Sequence, residues 1–190
     1  MKKKIIFFCP TIELGGVGKN LFKVINFFAE NEEQVYLITY SKKNLAKKIN
    51  NKVRILNISF KDSSRLPYFF IIISCILKYL RKFGFKRNNI FISFQSNLYF
   101  ILLAKITGNK IIARSNSAPN YYINSIFKKF IFRFIYSLAD IVVVNSYEFK
   151  KIFFQVFNVN SEVIYNPATN SLNKSSKFVY KPKFKKIINF

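Results

Sequence analysis

The chain predicts a doubly wound α/β domain, a mostly parallel sheet with helices on both faces. Three observations predict it. Strand-like and helix-like segments alternate along most of the chain. Each strand candidate is a near-continuous apolar run rather than an in–out alternation. A glycine-rich turn separates the first strand from the first helix. A strand apolar on both sides must be covered on both sides, and crossover helices provide that cover.

Ile5 to Cys9 predicts a buried strand, followed by a loop to Gly16 and a helix from about Val17 to Glu30. On that helix Leu21, Val24, Ile25 and Phe28 share one face at helical spacing. Val35–Thr39 and Val53–Ile58 predict the next strands, and Arg65–Phe83 a long apolar helix closed by Gly84. Asn89–Phe94 predicts a strand, Leu98–Thr107 a short helix ending at Gly108, and Lys110–Arg114 another strand. Ile123–Leu138 predicts a basic, aromatic-rich helix, and Asp140–Asn145 a wholly apolar-centred strand. Tyr147–Phe157 predicts a helix and Glu162–Tyr165 a last short strand. Past Asn166-Pro167 the composition turns to Asn, Ser, Lys and Pro. The expected organisation is a Rossmann-like domain over 1–167, a linker over 168–184, and the opening strand of a further domain at 185–190. Ligands of such sheets gather at the carboxyl ends of the strands.

Composition bounds the chemistry. The 190 residues include no histidine, which removes Ser-His-Asp triads, Cys-His pairs and His-ligated metals. Cys9 and Cys75 lie in apolar runs and read as buried free thiols of a reducing compartment rather than a disulfide framework. The net charge of +24 favours anionic partners. Because Lys and Arg are scattered through nearly every segment, a solvated basic surface explains them better than a nucleic-acid site does. The start, Met1-Lys2-Lys3-Lys4 before Ile5 to Cys9, is too short in its apolar part for a signal peptide. Pro67 to Leu77 falls short of the ~20 residues of a bilayer span. It fits a core helix or one lying on a membrane surface, and a cytoplasmic protein is expected.

Gly15-Gly16-Val17-Gly18-Lys19-Asn20 lies between the first strand and its helix. Glycines there let backbone amides approach a phosphate, and the helix terminus adds partial positive charge. A turn needed only for tight passage from strand to helix is the competing explanation; the placement after the first strand favours anion binding over it. The run departs from a dinucleotide fingerprint, since Leu21 holds the last glycine position, and from a P-loop, since Glu13 and Asn20 replace its first glycine and its magnesium-binding Ser/Thr.

The loop Glu13-Leu14-Gly15-Gly16-Val17 resembles the glycine loop of family 4 glycosyltransferases of GT-B fold. Three later segments match in order: Ile111-Ile112-Ala113-Arg114-Ser115-Asn116-Ser117 resembles the family's "R-x-N" segment, Ala139-Asp140-Ile141-Val142-Val143-Val144-Asn145-Ser146 its "AD-x-V-V-x-x-S" strand, and Val163-Ile164-Tyr165-Asn166-Pro167 its "V-I-x-N-P" exit. Lys186-Ile187-Ile188-Asn189-Phe190 looks like the strand that opens the second domain. The sequence departs at Gly18, where the family often has Glu, and at Phe94-Gln95-Ser96-Asn97, where many members carry a His-containing loop.

The resemblance implies an acceptor-side domain whose donor-binding companion is not in this sequence, either a missing domain or a separate chain. It implies a nucleotide sugar as co-substrate, no other cofactor and no metal. The implied acceptor is a glycan or a lipid-linked glycan. Gly15 and Gly16 would present N–H groups to the donor diphosphate. Glu13, Gln95, Asn97, Arg114 and Asn116 would serve the acceptor side, the amides by hydrogen-bonding sugar hydroxyls and Arg114 by pairing an anionic group. A surface ion pair is the competing role for Arg114. Asp140 caps or orients structure, Lys19 covers the helix surface, and no catalytic acid or base can be named. Phe127-Lys128-Lys129-Phe130-Ile131-Phe132-Arg133-Phe134 reads either as a helix on an anionic bilayer or, preferred, as a core helix with lysines snorkelling outward. Two further readings are a P-loop-like ATPase built on GGVGK and a non-enzymatic basic membrane-surface module.

Overall fold

The computed structural model describes residues 3–12, 15–32, 34–40, 48–58 and 67–166, Tyr121 by its backbone alone. The expected linker, the 185–190 strand, Glu13 and Pro167 lie outside them. Among the described residues the strands are β1 (Lys4–Phe8), β2 (Val35–Thr39), β3 (Arg54–Asn57), β4 (Asn89–Ser93), β5 (Lys110–Arg114), β6 (Ile141–Val144) and β7 (Glu162–Val163). The helices are α1 (Gly16–Asn31), α2 (Tyr68–Phe83), α3 (Asn97–Thr107), α4 (Ile126–Ser137) and α5 (Tyr147–Phe157). The strands form one parallel sheet in the order β3-β2-β1-β4-β5-β6-β7. This is the doubly wound arrangement that the apolar strand runs predict.

Alternation along each strand divides the core between two faces. Ile6 and Phe8 of β1 join one cluster and Ile5 and Phe7 the other. The first is covered by α2, α3, α4 and α5, the second by α1. Leu21, Val24, Ile25 and Phe28 are all buried on α1, as their spacing predicts. Aromatic rings supply much of the bulk. Phe8 stacks on Phe100 with centroids 4.3 Å apart and meets the edge of Phe91 at 4.9 Å. Cys9 and Cys75 are both buried, and neither is part of a disulfide.

Two stitches hold the amino-terminal edge. Asn109 accepts the Asn89 N–H at 2.9 Å and donates to the buried Tyr79 hydroxyl at 3.0 Å. Asp140 accepts the Ile111 N–H at 2.8 Å and the Lys105 ammonium at 3.1 Å. It therefore orients structure, fixing the chain that enters β6 to the start of β5. Gly108, at φ +67°, ends α3 in the left-handed region, where a side chain would be strained and its Cβ would meet Arg87.

The structure corrects one helix. A 3₁₀ turn occupies Pro119–Tyr121, and α4 begins only at Ile126, after Ser125 in an extended conformation. Pro119 and the polar pair Asn124-Ser125 interrupt the helical path that Ile123 fits by hydrophobicity alone. The expected core helix with outward lysines holds in part: Phe132, Ile135 and Tyr136 seat α4 on the core and Lys128 and Lys129 are exposed, but large apolar residues share the outer side. Only Ile135 and Tyr136 of α4 are buried, and Phe127, Phe130 and Phe134 face outward. No helix among the described residues is long and apolar enough to cross a membrane.

Candidate functional site at the carboxyl edge of the sheet

Strand order reverses between β1 and β4, so the connections leaving their carboxyl ends go to opposite faces and leave a crevice between them. Gly15 and Gly16 stand on this edge, both exposed. Gly15 precedes α1 at φ −70° and ψ −169°, a conformation any residue adopts, and no side chain caps the helix. A Cβ built on either glycine meets nothing within 4 Å. The fold would therefore accept a side chain at both positions. Neither glycine places a side chain over the first turn of α1, whose N–H groups carry the partial positive charge of a helix amino terminus.

Gln95 and Asn116 tie the strand exits together. Gln95 follows β4, and its Oε1 accepts from the Thr11 N–H at 3.2 Å and the Thr11 hydroxyl at 3.3 Å. This bridges the switch point itself. Asn116 follows β5, and its Nδ2 donates to the Phe94 carbonyl at 2.8 Å. Both side chains are only partly buried and line a cleft of about 510 Å³.

Asn97 and Arg114 are placed deeper. Asn97 is buried; its Oδ1 accepts from the Ser93 hydroxyl at 2.7 Å and its Nδ2 donates to the Arg114 carbonyl at 2.9 Å and toward the Tyr136 hydroxyl at 3.4 Å. Both ends of its amide thus serve the protein, in place of the sugar contact expected from sequence. Arg114 is 1% exposed. Its Nη2 donates to the Ile164 carbonyl at 3.1 Å and to Oδ1 of Asn166 at 2.8 Å. With the Asn20 amide turned to satisfy its neighbours, its oxygen accepts from Nε at 3.2 Å and Nη2 at 3.0 Å. The guanidinium also lies 5.8 Å from the centre of the Phe94 ring. The arginine joins the end of β5 to α1 and to the chain leaving β7, while still lining the cleft floor. Glu13 lies outside the described residues.

The structure adds groups that the sequence did not single out. Tyr68 at the start of α2 shares a 2.7 Å hydrogen bond with Ser96. Ser96 itself sits at φ 55° and ψ 37°, the left-handed region, at the head of α3. A non-glycine residue held there stores strain of order 1 kcal/mol, and such strain clusters at ligand sites. Tyr122 and Tyr136 complete the wall beside Phe132. Burial raises the phenol pKa of Tyr68, Tyr122 and Tyr136 above the usual range, so all three are neutral donors and acceptors at ordinary pH. None of the described lining residues is a carboxylate. The described lining offers amides, hydroxyls, aromatic faces and the Arg114 guanidinium, a set suited to a polyhydroxylated ligand.

The geometry disfavours the P-loop alternative. Gly18 and Lys19 lie within the first turns of α1 rather than in a loop before it, and Asn20 is buried against Arg114. The position that would bind magnesium faces the protein interior.

No protein-family model and no curated protein matches the chain. Solved structures do match. HepE of Anabaena, in complex with UDP and glucose, superposes with a TM-score of 0.60 at 12% identity, over 88% of this chain and 45% of that one. The lipopolysaccharide outer core galactosyltransferase WaaB, in its apo form, gives 0.59 at 14% identity over 88% of this chain and 46% of its own. UGT73P12 of Glycyrrhiza uralensis, complexed with glycyrrhetinic acid 3-O-monoglucuronide, gives 0.55 at 9% identity over 86% and 49%. At these identities the likeness is one of fold, and the chain spans a little under half the length of those structures. It has the fold of a partial, glycosyltransferase-like GT-B domain.

Proposed function

We propose that these residues form the acceptor-binding half of a glycosyltransferase resembling family 4, which moves a sugar from a nucleotide donor to a glycan or lipid-linked acceptor on the cytoplasmic side of a membrane. The observation that carries this reading is the Gly15–Gly16 turn. It is exposed at the carboxyl edge of the switch point, in a backbone conformation that does not require glycine, with open space where side chains would stand. Glycine is then explained by what must approach from outside, and the first-turn N–H groups of α1 suit a diphosphate. Transfer would release that diphosphate, and the donors meeting its developing charge would come partly from this turn and partly from a companion lobe. Gln95 and Asn116, anchored on one side and open on the other, would orient acceptor hydroxyls over the aromatic wall. Arg114 would act through position, holding the β5 end and the β7 exit in register beneath the cleft.

Split stabilisation implies weak binding by one half. Isothermal titration of the 190-residue chain with common nucleotide sugars should show at best millimolar affinity and no measurable transfer. Micromolar binding by this chain alone would refute the half-enzyme reading.

A further inference from the structure

We propose that the outward face of α4 lies on an anionic bilayer, so that the acceptor enters the cleft as the polar head of a membrane lipid; the second clause rests on the acceptor-half reading, the first does not. At 3.6 residues per turn, Ile126, Phe127, Phe130, Ile131 and Phe134 fall within an arc of roughly 140° on α4. All are more than half exposed, from 54% at Ile131 to 77% at Phe127. The opposite side of the helix carries Phe132, Ile135 and Tyr136 into the core. Among the described residues the exposed arc is therefore a second apolar face that no other element covers. Lys129 and Arg133 border it on one side and Lys128 on the other, and all three are exposed.

The surface continues beyond α4. On the adjacent α3, Tyr99, Leu102 and Ile106 are exposed at helical spacing, and Tyr99 touches Phe69 of α2 with ring centroids 6.2 Å apart. No Asp or Glu stands between Asp62 and Asp140, so α2, α3 and α4 carry cations without a single carboxylate. An apolar arc with a purely cationic border complements acyl chains topped by anionic headgroups. Pairing of this face with a second copy of itself would bring like charges together at the rim, which weakens a homodimer. Phe132 and Tyr136, on the inner side of the same helix, line the cleft. One helix, about 10 Å across, then separates bilayer from acceptor site.

The test uses the full chain with vesicles of phosphatidylcholine alone or mixed with phosphatidylglycerol. Co-sedimentation should occur with the anionic vesicles only. Each cation near the surface contributes about fivefold, so Lys129→Gln with Arg133→Gln should lower partitioning roughly thirtyfold. Lys19→Gln with Lys52→Gln, on the α1 side of the sheet, removes the same charge and should change it less than about threefold. The sequence has no tryptophan, so Phe130→Trp supplies a sole reporter whose emission should shift to the blue on anionic vesicles. Equal loss from both charge pairs would show net charge alone and overturn the proposal. So would an unshifted Phe130→Trp signal, or concentration-dependent self-association that buries this face without lipid. Failure here leaves the nucleotide titration unaffected, so the two readings fall separately.

Discussion

Replacing Asn97 with alanine separates a structural role from a ligand-binding one. The wild-type amide makes three hydrogen bonds, to the Ser93 hydroxyl, the Arg114 carbonyl and the Tyr136 hydroxyl, at 2.7, 2.9 and 3.4 Å. Ser93 keeps an alternative acceptor in the Gln95 carbonyl at 2.9 Å, which limits the loss on that side. The Arg114 carbonyl and the Tyr136 hydroxyl each lose a donor in a buried site. A net hydrogen bond contributes about 1 kcal/mol, and an orphaned buried group costs about 1–3 kcal/mol. Adding a small void gives a destabilisation of about 2–4 kcal/mol. For a domain of this size that is a fall in Tm of roughly 5–15 °C, readable by circular dichroism. Asn97→Asp keeps the bond from Ser93 but turns a carboxylate oxygen toward the Arg114 carbonyl, so it should melt lower than the alanine variant. Asn116→Ala, at a partly buried position with one side-chain bond to the Phe94 carbonyl, should cost less than about 1.5 kcal/mol. If Asn97→Ala melts within a degree or two of wild type, the assignment of Asn97 to structure is wrong.

Other outcomes follow from the same geometry. Gly16→Ala should be neutral or stabilising by up to about 1 kcal/mol in a chemical melt, because the fold does not need glycine there; marked destabilisation would mean that the turn is glycine for its own sake. Ser96→Gly and Ser96→Ala both lose the Tyr68 bond, but only glycine relieves the left-handed backbone, so the glycine variant should be the more stable of the two by about 0.5–1 kcal/mol; equal stabilities would mean that no strain is stored there. Burial pushes the Cys75 thiol from 9.0 up to about 12, so the folded chain keeps a proton that the unfolded chain releases. That stabilisation is intact below about pH 9 and drains as pH rises toward 12, so urea midpoints should fall through this window and fall less steeply in Cys75→Ala; parallel curves would contradict it.

Much of the fold was legible because its signals are local. Apolar runs of about five residues marked β1, β2, β4, β5 and β6 to within a residue or two, and Gly84 and Gly108 marked two helix ends. The start of α4 was not, because Ile123 satisfies the helical apolar pattern although the chain turns at Asn124-Ser125 before the helix begins. The orientation of α4 was hidden for a different reason. A helix apolar on both sides has no sequence signature for which side meets the core; packing against α3 and α5 decides it. The glycine turn was readable from its place between the first strand and the first helix, whereas Gln95 and Asn116 were suggested only by the family resemblance of the segments around them. The Asn20–Arg114–Asn166 junction was not readable, since its members are scattered and their types do not advertise partnership. Nor was Ser96, whose left-handed backbone falls on a residue type that gives no warning of it.

The central claim is that the first turn of α1 is built to meet a diphosphate from outside the domain. Amide ¹H–¹⁵N spectra of the chain titrated with UDP into the millimolar range test it most directly. The account predicts fast-exchange shifts centred on Gly15, Gly16 and Val17, weak and not saturating below about 1 mM, a Kd worth only about 4 kcal/mol. Shifts centred elsewhere on the domain while those amides stay fixed, or tight saturation at micromolar UDP, would contradict it.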